Sequence, residues 1–264
     1  MKVLGIFGDA PNQAALAQKL MAVHRIENMV LIRPNATRSR KSLRRIATAA
    51  TVGLPFRFAW LDLQKHYKSE FSWPNIPRTI AASANDPVVF AEVERHCPDL
   101  VLVSGTDLLR SEIIATIAKT GRIMNLHTGI SPYIKGGPNC TNWALFCKRT
   151  DLIGNTVMWL DTGIDTGNII TTERVPNLSF KSLSRLHLQV MEHAHDLYCR
   201  AYAQVTNGRL VPSVPQSAIG TGRLFLTRQW NGMAMLTALA NFYAIKCFGN
   251  RQVRNDVRLV SLTE

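Results

Sequence analysis

The sequence predicts an α/β fold: a mostly parallel sheet with helices on both faces, followed by a short C-terminal extension. Three observations carry this expectation. Short, almost wholly apolar runs recur at residues 2–7, 29–32 and 100–103, and an unbroken apolar run marks a strand buried on both faces. Stretches with helical spacing lie between such runs, as at residues 12–23 with Leu16, Leu20 and Met21. Turn signals punctuate the alternation, from Gly8-Asp9 to Gly121. Strand and helix alternating at this spacing build right-handed βαβ units in a Rossmann-like arrangement.

Taken in order, the first strand ends at Gly8-Asp9, and the first helix leads to the second strand, which stops before Arg33-Pro34. Asp86-Pro87 opens a helix to about His96, with Asp as cap and Pro in the first turn. Pro98-Asp99 introduces the strand at 100–103, which ends in Ser104-Gly105. A helix over 108–119 and a strand over 123–126 follow. Residues 138–148 read as a helix, 156–160 and 168–172 as strands joined by the turn 161–167, and 182–207 as a long amphipathic helix. The expected organisation is a catalytic domain over 1–207, with a basic insertion at about 33–70, and an extension over 208–264 holding an apolar helix at 233–248.

Composition sets limits. The 264 residues are 46% hydrophobic and 19% charged, enough apolar material for a sizeable core and against disorder. The formal net charge of +13 and pI near 10.0 favour anionic partners. Five cysteines without C-x-x-C spacing read as reduced thiols in a cytoplasmic protein. No metal site is expected: Cys140 and Cys147 lack flanking ligands, and His187, His193 and His195 do not share a helix face. No apolar run approaches the ~18 residues of a spanning helix, and the N-terminus reads as a strand rather than a signal peptide.

The chemistry concentrates between Asn125 and Asp165. An amide (Asn125), an imidazole (His127) and a carboxylate (Asp165) stand at strand ends and turns among core-like residues. Buried polar groups are costly unless paired or used. His127 suits moving a proton between an amine and a departing nitrogen. Asn125 suits stabilising charge on a carbonyl oxygen. Asp165, if within reach of the imidazole, favours its protonated form and holds a water. Together they suit acyl transfer between nitrogens, without a serine or cysteine nucleophile.

These residues form a longer pattern: N-x-H, a Pro five residues on, K-G-G, then G-x-T-x-x-x-x-D-x-G-x-D-T-G-x-I. The pattern resembles the formyltransferase family that uses 10-formyltetrahydrofolate, which includes glycinamide ribonucleotide, methionyl-tRNA and amino-sugar enzymes. The resemblance covers roughly residues 98–173 and implies the formyltransferase fold, with Asn125, His127 and Asp165 as the catalytic trio. Asp161, earlier in the same turn, is the weaker candidate. Where the family commonly has P-S-L-L-P-x-Y-R-G after the histidine, this chain keeps Pro132 and Gly136, and Lys135 replaces the usual Arg.

The resemblance also places the two substrates. The folate donor would lie between Ser104, Thr106, Leu108 and Leu109 on one side and Thr162, Gly163 and Ile164 on the other. The acceptor would approach over Ser131, Lys135, Gly136, Gly137 and Asn139. A helical tail in place of a β-barrel disfavours methionyl-tRNA as acceptor, and the 33–70 segment and the tail are surplus for a glycinamide ribonucleotide enzyme. A nucleotide-linked amino sugar, whose diphosphate suits a basic surface, is the expected acceptor; a catalytically silent folate or anion binder is the alternative of another class. The basic segment reads first as a solvated helix face, then as an anionic-substrate contact, then as a peripheral dock on anionic membrane beside Phe56, Phe58 and Trp60. The apolar C-terminal helix is compatible with a homodimer. Nucleic acid is the weaker expectation as a partner.

Overall fold

The computed structural model describes residues 1–35, 51–161, 167–208, 211–249 and 256–262. In chain order its elements are β1 (Val3–Gly8), α1 (Pro11–Val23), β2 (Asn28–Ile32), α2 (Leu54–Glu70), β3 (Arg78–Ala81), α3 (Pro87–His96), β4 (Leu100–Ser104), α4 (Ser111–Ala118) and β5 (Arg122–His127). Then come β6 (Ile134–Gly136), α5 (Cys140–Phe146), β7 (Gly154–Trp159), β8 (Ile169–Arg174), α6 (Leu183–Thr206), a short α7 (Gln216–Ile219), β9 (Arg223–Phe225) and α8 (Gly232–Phe248). Among the described residues a seven-stranded sheet runs β3-β2-β1-β4-β5-β7-β8. The first five strands in that order are parallel; β5 pairs antiparallel with β7, and β7 with β8. The expected mostly parallel sheet is therefore observed.

Strand alternation explains the two layers. Val3 and Phe7 of β1, Leu100 and Leu102 of β4, and Met124 and Leu126 of β5 join one core with Leu16 and Leu20 of α1 and with Tyr198 and Tyr202 of α6. Their neighbours Leu4, Ile6, Val101, Val103 and Ile123 join the opposite core with Val89 and Val93 of α3 and with Ile113 and Ile117 of α4. A fully buried Leu or Ile side chain contributes about 1.5–3 kcal/mol, so these central strands are held from both sides. No described helix is long and apolar enough to cross a membrane.

Helix starts follow their caps. Asp86 accepts from the Val88 amide at 3.1 Å and Ser182 from the Arg185 amide at 3.1 Å, as their residue types suggest. The helix expected from 108 begins only at Ser111, because Asn85 captures the loop before it. Asn85 donates to the Leu108 carbonyl at 2.8 Å and accepts from the Arg110 amide at 2.7 Å. The helix expected over 138–148 is shortened to α5: Asn139 caps its start, and Lys148, at φ 55, lies just past its end.

Within the 33–70 segment, residues 36–50 lie outside the described residues. α2 is amphipathic: Phe56, Ala59, Leu63 and Tyr67 are buried. Of the three aromatics considered for a membrane, Phe56 packs edge-on against Trp230 at 5.2 Å, Trp60 lines the cavity described below, and Phe58 is 58% exposed.

The C-terminal residues are knitted into the rest. β9 pairs parallel with β6, Phe225 stacks on Trp143 with centroids 4.4 Å apart, and Val260 exchanges hydrogen bonds with Thr172. α8 lies against α5, where Asn241 donates to the Leu145 and Phe146 carbonyls.

Candidate functional site

The chain builds outward from β1 to β3, then returns to place β4 on β1's other side. In a parallel sheet this reversal leaves a crevice beyond the carboxyl ends of the strands. A cavity of about 520 Å³ occupies that position, walled by the ends of β4 and β5 and the first turn of α1. Its size falls in the range of small-molecule sites. Two features shape it. Gly105 has φ +68, and a β-carbon there would stand 2.7 Å from Gln13 Nε2, so the turn after β4 closes tightly over α1. Tyr198, fully buried on α6, accepts from the Val103 amide at 3.1 Å and donates to the Met124 carbonyl at 2.6 Å. A side-chain hydroxyl thus bridges β4 and β5 beside Val103, which lines the cavity. Burial pushes its pKa well above the usual tyrosine value and keeps it a proton donor.

Asn125 and His127 share one face of β5, opposite to Met124 and Leu126, and both line the cavity. His127 is buried, 8% exposed, with Nε2 3.3 Å from the Ile134 carbonyl oxygen and 3.5 Å from Cys140 Sγ. A carbonyl oxygen only accepts, so engagement with it requires a hydrogen on Nε2. The turn after the strand is pinned. Thr156, paired with His127 across the β5–β7 ladder, donates to the Gly129 carbonyl at 2.6 Å and accepts from the Ser131 amide at 3.0 Å. Gly129 has no room for a side chain: a β-carbon would lie 2.7 Å from both His127 Nε2 and Cys140 Cβ.

The loop after β4 is fixed from outside. Asp107 accepts from Ser83 Oγ at 2.6 Å and from the Ala84 amide at 2.8 Å. Ser104, Thr106, Leu108 and Leu109, the residues expected on the donor side, line the cavity. Thr162, Gly163, Ile164 and Asp165 lie outside the described residues, while Leu160, two residues before them, lines the wall. Asp161 is exposed.

The residues expected on the acceptor side divide. Gly136, Gly137 and Asn139 line the cavity. Asn139 also caps α5, accepting from the Asn142 amide at 3.2 Å. Ser131 and Lys135 are not among the described lining residues. Ser131 is wholly buried in the turn held by Thr156, and alternation along β6 directs Lys135 to the side opposite Gly136.

Several wall residues escaped the sequence reading. Trp60 reaches the cavity from α2, where Gln64, one turn on, donates to Asn12 Oδ1 at 2.9 Å and ties that helix face to the start of α1. Thr227 arrives from the C-terminal residues, Met191 from α6, and Cys140 from the first turn of α5. Their signals were weak: a tryptophan in an apolar stretch, and a glycine two residues past the histidine that leaves space for the thiol. Among the described residues no cluster of three or more His, Cys, Asp or Glu could hold a metal ion.

Comparison with known proteins fits this arrangement. A family profile described as formyl transferase matches residues 6–202. Methionyl-tRNA formyltransferase of Clostridium perfringens is 28% identical over 128 residues, which is 48% of this chain and 40% of the relative. The chain thus spans less than half the length of that relative. A sugar N-formyltransferase structure from Shewanella sp. superposes with TM-score 0.59 at 15% identity, covering 98% of this chain and 96% of that one. An N-formyltransferase from Helicobacter canadensis, in complex with folinic acid and dTDP-3-aminofucose, superposes with TM-score 0.56 at 15% identity, covering 92% and 81%. With sheet order, cavity and profile in agreement, this chain belongs to the formyl transferase family.

Proposed function

We propose that this protein is an enzyme that transfers the formyl group of 10-formyltetrahydrofolate to a primary amine on a nucleotide-linked amino sugar. The observation that carries the reading is the joint placement of Asn125 and His127 in one cavity with the loop after β4. The wall suits a folate donor: Leu108, Leu109 and Leu160 offer apolar surface, and Ser104 and Thr106 offer polar groups. The Helicobacter complex supports the pairing of donor and acceptor, since that protein holds a folate derivative and a nucleotide-linked amino sugar together. We infer a cytoplasmic setting, which five free thiols support.

In the proposed reaction the free amine attacks the formyl carbon. Asn125 and protonated His127 stabilise the oxyanion of the tetrahedral intermediate. The amine's proton passes, through His127 or a water held by Asp165, to N10 as the carbon–nitrogen bond to the donor breaks. Atoms balance without a covalent enzyme intermediate.

The test is transfer from 10-formyltetrahydrofolate to a panel of nucleotide-linked amino sugars, with the formylated product identified by mass spectrometry. His127→Ala and Asp165→Ala should each lower turnover at least about a hundredfold with the fold intact. Near-normal turnover in both variants would reject the assignment. A second reading, a methionyl-tRNA acceptor, draws on the sequence relatives and the net charge of +13. Formylation of charged tRNA, with binding that weakens steeply in salt and no sugar product, would favour it. Folate binding with no transfer to any acceptor would favour a silent binder.

A further inference from the structure

The helix α8 has two apolar faces. One holds Ala234, Ala238, Phe242 and Ile245, buried in the core that contains Trp143 and Leu145. The other holds Met233, Leu236, Ala240, Tyr243 and Cys247, every one exposed. The spacing of this second set is three, four, three, four, the seam pattern by which one helix packs along another. A helix apolar all round is ordinarily buried all round, yet only one side of α8 is covered within the described residues. The sole charged side chain on α8 is Lys246, near its C-terminal end.

We propose that this face is a two-fold interface between two copies of the chain, with α8 packed antiparallel on its mate. The seam is nearly symmetric in size about its centre. Antiparallel pairing places Ala240 on the axis against Ala240 of the second copy, with Leu236 against Tyr243 and Met233 against Cys247 on either side. A small residue at the axis lets the helices approach, and the larger pairs fill the flanks. Such an isologous contact requires a self-complementary patch, and this uncharged seam meets that requirement despite the chain's +13 charge. Charges outside the seam are screened over ~8 Å at physiological salt.

A lipid surface fits less well. Interfacial helices carry a Lys- and Arg-rich polar face beside the apolar one, and α8 has no such face. Area points to a modest dimer. Of the large seam residues, Met233, Leu236 and Tyr243 are 71%, 50% and 54% exposed. With large side chains of roughly 150–250 Å² each, they offer on the order of 350 Å² per copy, a little under half of the ~800 Å² each partner of a stable interface buries. The smaller seam residues and the surface beside the helix add to this, and dissociation in the micromolar range is the expectation.

Sedimentation velocity on the full chain from about 1 to 100 μM tests the proposal. The expected result is a concentration-dependent doubling of mass, abolished by Leu236→Glu and by Tyr243→Glu, with thermal melting confirming that each variant is folded. Ala240→Cys in a background with the exposed Cys97, Cys147 and Cys247 replaced by Ser should form an intermolecular disulfide under mild oxidant, as a two-fold contact at that position requires. A chain monomeric throughout the range overturns the proposal, as does a dimer untouched by either glutamate. A monomer that co-sediments with anionic phosphatidylserine vesicles in a Leu236-dependent way assigns the face to lipid and equally overturns it. None of these outcomes depends on formyl transfer.

Discussion

Gly129→Ala tests how tightly the imidazole is placed. The new β-carbon would stand 2.7 Å from His127 Nε2 and 2.7 Å from Cys140 Cβ, about 0.7 Å inside the 3.4 Å at which ordinary contact begins. The backbone of Gly129 cannot easily withdraw, because its amide donates to the His127 carbonyl at 3.1 Å and its carbonyl accepts from Thr156 at 2.6 Å. Gly129 does not adopt a positive φ, so alanine is not strained in itself. The ring or the first turn of α5 must therefore move by several tenths of an ångström. On the proposed reading, in which His127 moves the proton, a displacement near 1 Å costs about a hundredfold, and the expected loss in kcat/KM is ~30–100-fold, or about 2–2.7 kcal/mol of transition-state stabilisation. The assay is formyl transfer from 10-formyltetrahydrofolate to the best acceptor, with circular dichroism and melting temperature as controls. A folded variant within about threefold of the parent would refute the claim that the position of His127 limits the reaction.

Further expectations follow from the same geometry. Tyr198→Phe leaves the Val103 amide and Met124 carbonyl without their bridge, at about 2–4 kcal/mol and a fall in Tm of ~5–12 °C; an unchanged Tm would show that the hydroxyl is not stabilising. Burial depresses His187 to about 4 and, with a smaller contribution from Lys19, His195 to about 3. Both lie below the ordinary 6.5, so the unfolded chain takes up protons that the folded chain excludes. The stability from these neutral rings is complete above pH 6.5 and is lost as pH falls toward 4 and then 3. His195→Leu should flatten the decline in Tm between pH 6.5 and 4, and an unchanged slope would count against this cause. On the proposed reading, Trp60→Ala should raise KM for a nucleotide-linked acceptor about two- to tenfold through lost aromatic packing and leave KM for the folate alone; the reverse pattern would place the donor against Trp60.

The sheet was legible because its strands are buried on both faces and therefore read as unbroken apolar runs. β1, β2, β4 and β5 stand within a residue or two of expectation. The edge strand β3 was not, since its sequence R-T-I-A is half exposed and short. β6 and β9 are three residues each and exist only through pairing with one another, a long-range contact that no local pattern encodes. Asn125 and His127 were legible because their spacing of two places them on one strand face at a strand end. Ser131 and Lys135, expected on the acceptor side, stand outside the described cavity lining; register alone cannot say which way a turn folds, and the Thr156 clasp buries Ser131.

The division of the cavity wall between shared and added elements suggests where acceptor choice resides. The groups proposed for chemistry stand on β5 and the loop after β4, inside the span of the family profile. Thr227 comes from beyond that span, and Trp60 from a helix inserted between adjacent parallel strands β2 and β3. The proposed proton transfer requires neither. Both are held by packing of their own: α2 through Phe56 against Trp230, and the C-terminal residues through Phe225 against Trp143. The two surplus segments thus brace each other through one aromatic cluster, since Trp143 also meets Trp230 edge-on at 4.9 Å. A wall built this way can change its residues without disturbing β5.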